Sequence, residues 1–260
     1  MPVRFTILGS GSKGNCAYLE TDEVRLLIDA GFSARQIRAR LAALGRAPES
    51  LTGILITHEH TDHVQGLTGL AEKLRVPVYC NRLTKEAIEF QQGCRLEARL
   101  FETGASFEIG DVGVETFSIP HDAQDPVGFL LRTATANLGF LTDLGHATKL
   151  VLERVKPAHA LVLEANYDPH LLDNDPRRPW SLKQRIKGRH GHLSNGAAAE
   201  AVREIVSADL RHLFLGHLSQ DCNRPELALA AVTESLHRLG ATHVRTVVTA
   251  QDAACETLVL

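Results

Sequence analysis

Ile54-Leu55-Ile56 runs straight into Thr57-His58-Glu59-His60-Thr61-Asp62-His63, and a helical run follows. This H-x-H-x-D-H spacing constrains the chain more than any other feature. Alternate residues of an extended segment point the same way, so His58 and His60 converge on one metal ion, while the turn into the helix brings Asp62 and His63 round to a second. Nitrogen and carboxylate donors suit zinc, manganese or iron. Four such donors at fixed spacing are hard to reconcile with a chance polar loop.

Two ions need more donors than these, and three further candidates each close an apolar strand, where loops and sites gather. His121 follows Phe117-Ser118-Ile119-Pro120, Asp143 follows Leu138-Gly139-Phe140-Leu141-Thr142, and His217 follows Leu213-Phe214-Leu215-Gly216. Singly, each would pass for a surface histidine or a helix-capping aspartate. Together with the first cluster they complete two coordination sets. Asp29, closing Leu26-Leu27-Ile28, reads alone as a residue that starts a turn before Gly31.

The elements around these residues predict an α/β chain. Strand-like runs are Val3 to Leu8, Arg25 to Asp29, Gly53 to Thr57, Val76 to Cys80, Val112 to Ile119, Gly128 to Thr133, Leu138 to Thr142, Ala160 to Glu164, His212 to Leu215 and Val244 to Thr249. Helical spacing is found in Ser33 to Leu44, His63 to Arg75, Leu83 to Phe90, Asn195 to Val206 and Pro225 to Leu239, with Ser33, Ser194 and Asn223 as N-caps. Strands follow one another from Ser106 to Leu141, whereas the flanks alternate strand and helix, so a uniform parallel sheet is excluded and a layered αββα arrangement fits. With 44% hydrophobic and 23% charged residues, 1–260 is expected to form a single domain.

Composition also excludes several function classes. The chain carries 28 basic and 31 acidic residues, which lacks the basic excess of proteins that coat nucleic acid. Its five cysteines, at 16, 80, 94, 222 and 255, form no C-x-x-C pair, which argues against a disulfide framework and for a reducing cytoplasm. Neither a signal peptide nor a membrane span is expected, because no apolar stretch is long enough.

The order and setting of the histidines and aspartates resemble the metallo-β-lactamase fold hydrolases along essentially the whole chain. The resemblance implies a four-layer αββα sandwich in which His58, His60 and His121 hold one metal, Asp62, His63 and His217 the other, and Asp143 bridges them. Asp29 matches an acidic position that supports a ligand in that family rather than acting as one. A competing motif, Gly9-Ser10-Gly11-Ser12-Lys13-Gly14 with Asp29 beyond it, mimics a dinucleotide fingerprint. Too few residues separate Gly14 from the strand near Val24 for a phosphate-binding helix. A hairpin is preferred, its loop near the metal centre, with Ser10, Ser12 and Asn15 placed to touch substrate phosphate.

Within that fold, three segments resemble the YycJ/WalJ group of bacterial hydrolases, relatives of ribonuclease Z: Leu8 to Cys16, Trp180-Ser181-Leu182-Lys183-Gln184-Arg185-Ile186, and Gly191-His192-Leu193-Ser194-Asn195. The last is similar to the His-Ser-Thr element of ribonuclease Z. Two departures stand out: Leu163-Glu164-Ala165-Asn166 replaces a His-Glu-Ala-Thr element, so its histidine is absent, and Tyr167 stands where many relatives have histidine. The group implies a phosphodiesterase, specifically a 5′-to-3′ exonuclease on DNA rather than RNA. It would use two divalent ions, zinc or manganese, and a bridging hydroxide. Asp62 would ligate and orient the nucleophile, and His192, with Ser194 and Asn195 close by, would bind phosphate or protonate the leaving oxygen.

Pro176 to Ala199 carries Arg177, Arg178, Lys183, Arg185, Lys187 and Arg189 and no carboxylate. Such a stretch is expected to attract a polyanion, through Lys183 and Arg185 in particular, and Trp180 offers a stacking face. Two other readings stand beside it. One is a small-molecule ester, thioester or lactone hydrolase with a small apolar pocket; the other is a nucleic-acid binding module without chemistry.

Overall fold

The computed structural model describes residues 2–260. The first part of the chain forms β1 (Arg4–Gly9), β2 (Cys16–Glu20), β3 (Arg25–Ile28), α1 (Ala34–Ala43), β4 (Gly53–Leu55), α2 (Thr61–Val64), α3 (Leu67–Leu74), β5 (Val78–Cys80), α4 (Arg82–Gln92) and β6 (Ala98–Leu100). Then come β7 (Ser106–Ile109), β8 (Val112–Ser118), β9 (Val127–Arg132), β10 (Asn137–Leu141), α5 (Lys149–Val155), β11 (Ala160–Glu164), α6 (Pro169–Asp173) and α7 (Trp180–Lys187). The chain closes with α8 (Asn195–Ile205), β12 (His212–Gly216), α9 (Pro225–Arg238), β13 (Arg245–Val248) and β14 (Leu258–Val259).

The strands form two sheets, ordered β14-β1-β2-β3-β4-β5-β6 and β13-β12-β11-β10-β9-β8-β7. In the first, β14 to β3 pair antiparallel and β3 to β6 parallel. The second repeats the plan, antiparallel from β7 to β10 and parallel from β10 to β13.

Alternation decides which layer each strand residue joins. Ala160 and Val162 of β11 face the other sheet, in a core with Phe5, Ile28 and Phe129, while Leu161 and Leu163 face helices. Phe5 meets Phe214 edge-on across the sheets, their ring centroids 5.7 Å apart. Ile37, Leu41, Leu67 and Ile88 bring helices onto the first sheet; Val151, Val155, Val202 and Val232 bring helices onto the second. Covered on both faces, the central strands are unbroken apolar runs. The result is the expected α/β architecture with layers αββα.

Several local expectations are corrected. The helix read from His63 to Arg75 is broken into α2 and α3 at Gly66, whose N–H donates to the Ala30 carbonyl at 2.8 Å. A Cβ at Gly66 would lie 2.2 Å from the Phe32 carbonyl oxygen, so backbone passes where a side chain would stand. Ser33 and Ser194 do cap α1 and α8, Ser33 in a reciprocal box with Gln36. Asn223 does not cap α9: Arg224 takes that position, and the Asn223 amide donates instead to the Ala165 and Asn166 carbonyls. The Gly9 to Gly14 motif is the turn of the β1–β2 hairpin, with no helix after it. All five cysteines are free, and no helix among the described residues is long and apolar enough to cross a membrane.

Candidate metal centre

The parallel strands of both sheets deliver their C-terminal ends to one place. Asp29 follows β3, Thr57 and His58 lie just past β4, Asp143 just past β10, Glu164 ends β11 and His217 follows β12. Asp29, Asp143 and His217 are all left-handed, with φ of 59°, 56° and 55°. This conformation costs a non-glycine residue about 1–2 kcal/mol. It is tolerated here because their neighbours hold all three side chains in the centre.

His58, His60 and His121 form one group, their ring centroids 4.6 to 5.1 Å apart. Asp62, His63 and His217 form a second, with Asp62 Oδ2 3.2 Å from His217 Nε2 and 3.5 Å from His63 Nε2. Asp143 reaches towards both, its Oδ2 3.0 Å from His63 Nε2 and its Oδ1 3.6 Å from His121 Nε2. In each group, and in the joining set His58, His63 and Asp143, one donor atom per residue lies within 4.8 Å of the others. Sequence reasoning named all seven of these residues.

What holds the rings was less visible. Asp29 Oδ2 accepts from His63 Nδ1 at 2.7 Å and from the Thr57 hydroxyl, and Oδ1 accepts the Thr57 N–H. His121 Nδ1 donates to the Gly191 carbonyl at 3.0 Å. Glu164, fully buried, places Oε1 2.7 Å from His192 Nδ1 and 2.8 Å from His217 Nδ1, while Oε2 accepts the N–H groups of Leu144 and Leu193. With their outer nitrogens engaged, His63, His121 and His217 present Nε2 to the middle. Glu164 was missed as a functional residue. Its sequence signals are a carboxylate ending the otherwise apolar run Ala160-Leu161-Val162-Leu163 and its match to the glutamate of the His-Glu-Ala-Thr element.

Burial opposes charge throughout the centre, and neighbours decide the outcome. His63 and His217 are held well above the usual imidazole range, because Asp143, Asp29 and Asp62 around one, and Asp143, Asp62 and Glu164 around the other, outweigh burial. Asp62 and Asp143 are held well below the usual carboxylate range, since His63 and His217 overcome their burial. His192 is raised against burial by Glu164. His58 and His121 are pushed down, chiefly by burial.

These donors fit a divalent cation. Imidazoles and carboxylates converge, and the buried Nε2 of His58 has no hydrogen-bond partner in the protein, which a cation would supply. Their carboxylate–histidine pairing is how metal-ligating imidazoles are ordinarily oriented.

The residues expected to meet substrate are placed differently from one another. Ser12 is exposed at the tip of the glycine loop. Ser10 and Asn15 are buried, and their side chains bond to the centre itself. Ser10 Oγ accepts the His217 N–H at 2.7 Å and donates to Asn15 Oδ1, and Asn15 Nδ2 donates to Asp62 Oδ2 at 3.3 Å. The loop is clamped by the distant Gln251, whose Oε1 accepts the Lys13 N–H and whose Nε2 donates to the Gly14 carbonyl. Ser194 caps α8 and Asn195 pairs with Asn223. Tyr167, also buried, receives the Asn195 N–H on its carbonyl. Lys183 is buried with its ammonium on the Asp173 carbonyl, and Arg185 is ion-paired with Asp122.

The profile of the family described as "Beta-lactamase superfamily domain" matches residues 24–217. Over 242 residues the chain is 37% identical to exodeoxyribonuclease YycJ of Bacillus anthracis, covering 92% of this chain and 91% of that protein. Exodeoxyribonuclease WalJ of Streptococcus pneumoniae serotype 2 is 37% identical over 237 residues, 90% of this chain and 88% of that one. Among solved structures, the metallo-beta-lactamase fold protein YhfI of Bacillus subtilis aligns with a TM-score of 0.75 at 14% identity, covering 98% of each chain, a likeness of fold alone. The matched stretch holds Asp29 and every candidate donor from His58 to His217, and with it this chain belongs to the beta-lactamase superfamily domain family.

Proposed function

We propose that this protein is a metal-dependent phosphodiesterase, an exonuclease that degrades DNA from the 5′ end with two divalent ions, zinc or manganese. The observation that carries the reading is Asp143, which reaches both the His58–His60–His121 group and the Asp62–His63–His217 group. Similarity over about nine tenths of the chain to two proteins named exodeoxyribonucleases supports DNA as the substrate. Five free cysteines fit a reducing cytoplasm.

Divalent ions bound at these donors would acidify water and stabilise negative charge on phosphate. The chain's own groups do the rest. Asp62, kept ionised by His63 and His217, accepts a hydrogen bond from the attacking water and orients it. His192, partly exposed and with its pKa raised by Glu164 against burial, turns Nε2 away from that carboxylate, to bind a phosphate oxygen and to give a proton to the leaving oxygen.

The test is degradation of end-labelled double-stranded DNA carrying a 5′-phosphate, with added manganese or zinc, beside Asp62→Ala and a matched RNA. Metal-dependent release of nucleotides from the 5′ end, lost in the variant, is the expected result. Two bound ions without cleavage of DNA or RNA would overturn it and turn attention to small esters, thioesters and lactones. Binding of DNA without cleavage would leave a binding module.

A further inference from the structure

Helix α7 spans the flank of the centre. On the residue before its N-cap, Arg178 pairs with Asp221, four positions past His217; further along, Arg185 pairs with Asp122, the neighbour of His121. Beyond Arg185, the Ile186 carbonyl accepts the His192 N–H at 2.9 Å. The helix is therefore tied at both ends to loops that carry the candidate donors. Between those ties, as the first residue of α7, stands the chain's single tryptophan, Trp180, 70% exposed. A rise of about 1.5 Å per residue puts it about 7.5 Å along the axis from Arg185.

The charges of this stretch are already engaged. Arg177 and Arg178 pair with Asp175 and Asp221, Lys187 pairs with Asp173, Arg185 with Asp122, and Arg189 reaches His146. Lys183 is buried on a carbonyl. The polyanion attraction expected from sequence is thus largely neutralised by aspartates lying outside the basic stretch. Beside those pairs, this face exposes an indole.

We infer that Trp180 is the platform on which a base of the substrate strand stacks, and that stacking rather than phosphate pairing carries this face's contact. The inference rests on the exonuclease reading above. An indole exposed on a helix tied to the loops that carry the candidate donors suits a base of any sequence, because every base has a π-face. Phe90 is more exposed still, at 91%, but it lies on α4 in the helix layer of the other sheet, with nothing beside it that designates a partner.

As the only tryptophan, Trp180 reports on itself. The experiment follows its fluorescence in the zinc-loaded full chain as a single-stranded phosphorothioate oligonucleotide is added, beside an abasic oligonucleotide of equal length. Saturable quenching by the first and none by the second is expected. Binding measured by anisotropy should weaken about tenfold in Trp180→Ala and within twofold in Trp180→Phe. It should fall less than tenfold between about 50 and 200 mM salt. Equal quenching by the abasic strand, unchanged affinity in Trp180→Ala, or a steep salt dependence would each overturn the inference. If DNA is still degraded in those cases, the exonuclease reading survives; if no oligonucleotide is bound or cut, both readings fall.

Discussion

Glu164 serves two histidines with one oxygen: Oε1 lies 2.7 Å from His192 Nδ1 and 2.8 Å from His217 Nδ1. One ring belongs to the candidate donor groups and the other stands at the rim, so a single buried carboxylate orients both.

Glu164→Gln keeps the shape but sets an NH2 group against either the ring N–H groups or the Leu144 and Leu193 amides. Metal affinity is expected to drop 10–100-fold and turnover by about 100-fold or more. His192→Ala should separate the roles, lowering turnover while metal content stays that of the unsubstituted protein. Metal analysis beside single-turnover kinetics checks both.

Asp29→Asn and Asp29→Ala should differ in an informative way. Asparagine accepts the left-handed conformation that Asp29 adopts at φ 59°, so it removes only the charge behind His63. Alanine removes the charge and adds backbone strain of about 1 kcal/mol. Both should weaken metal binding, but alanine should show the larger loss in chemical denaturation of the metal-free protein.

Metal removal should move the pH of greatest stability downward. His63 and His217 are raised in the folded chain, so their contribution is complete below the unfolded imidazole value of about 6.5 and is lost as pH rises through their folded values. Asp62 and Asp143 are lowered, so theirs is present above about pH 4 and lost as pH falls. With chelator, Tm should therefore peak in mild acid and decline towards pH 8. With zinc, which needs the imidazoles deprotonated, it should rise over the same range.

Gly31→Ala should disrupt the centre from outside it. A Cβ there would lie 1.7 Å from the Asp62 carbonyl oxygen, a backbone atom that no rotamer change can move. We expect a loss of about 1–3 kcal/mol in stability together with reduced metal content, measured by urea titration and metal analysis.

The candidate donors, which the structure brings together, were legible because their signals are local. His58 to His63 are neighbours in sequence, and His121, Asp143 and His217 each end an apolar run that reads as a strand on its own. The layers were legible for the same reason. What sequence could not show is pairing across distance. Arg185 meets Asp122 across 63 positions and Arg178 meets Asp221 across 43, so much of a stretch that reads as a basic patch folds into ion pairs. Ser10 and Asn15 looked like phosphate contacts because a glycine loop commonly is one. Only folding shows that their atoms are taken up by Asp62 and His217.

The clamp of Gln251 on the glycine loop bears on the order in which the molecule is made. Every candidate donor leaves the ribosome before Gln251 does, yet the loop that braces Asp62 and His217 is pinned by Gln251 and by the Ala250 carbonyl, which accepts the Ser10 N–H at 2.9 Å. A nascent chain therefore carries the ligands without the brace. The centre reaches its final form only once the segment carrying Ala250 and Gln251 has been made and has docked on the loop.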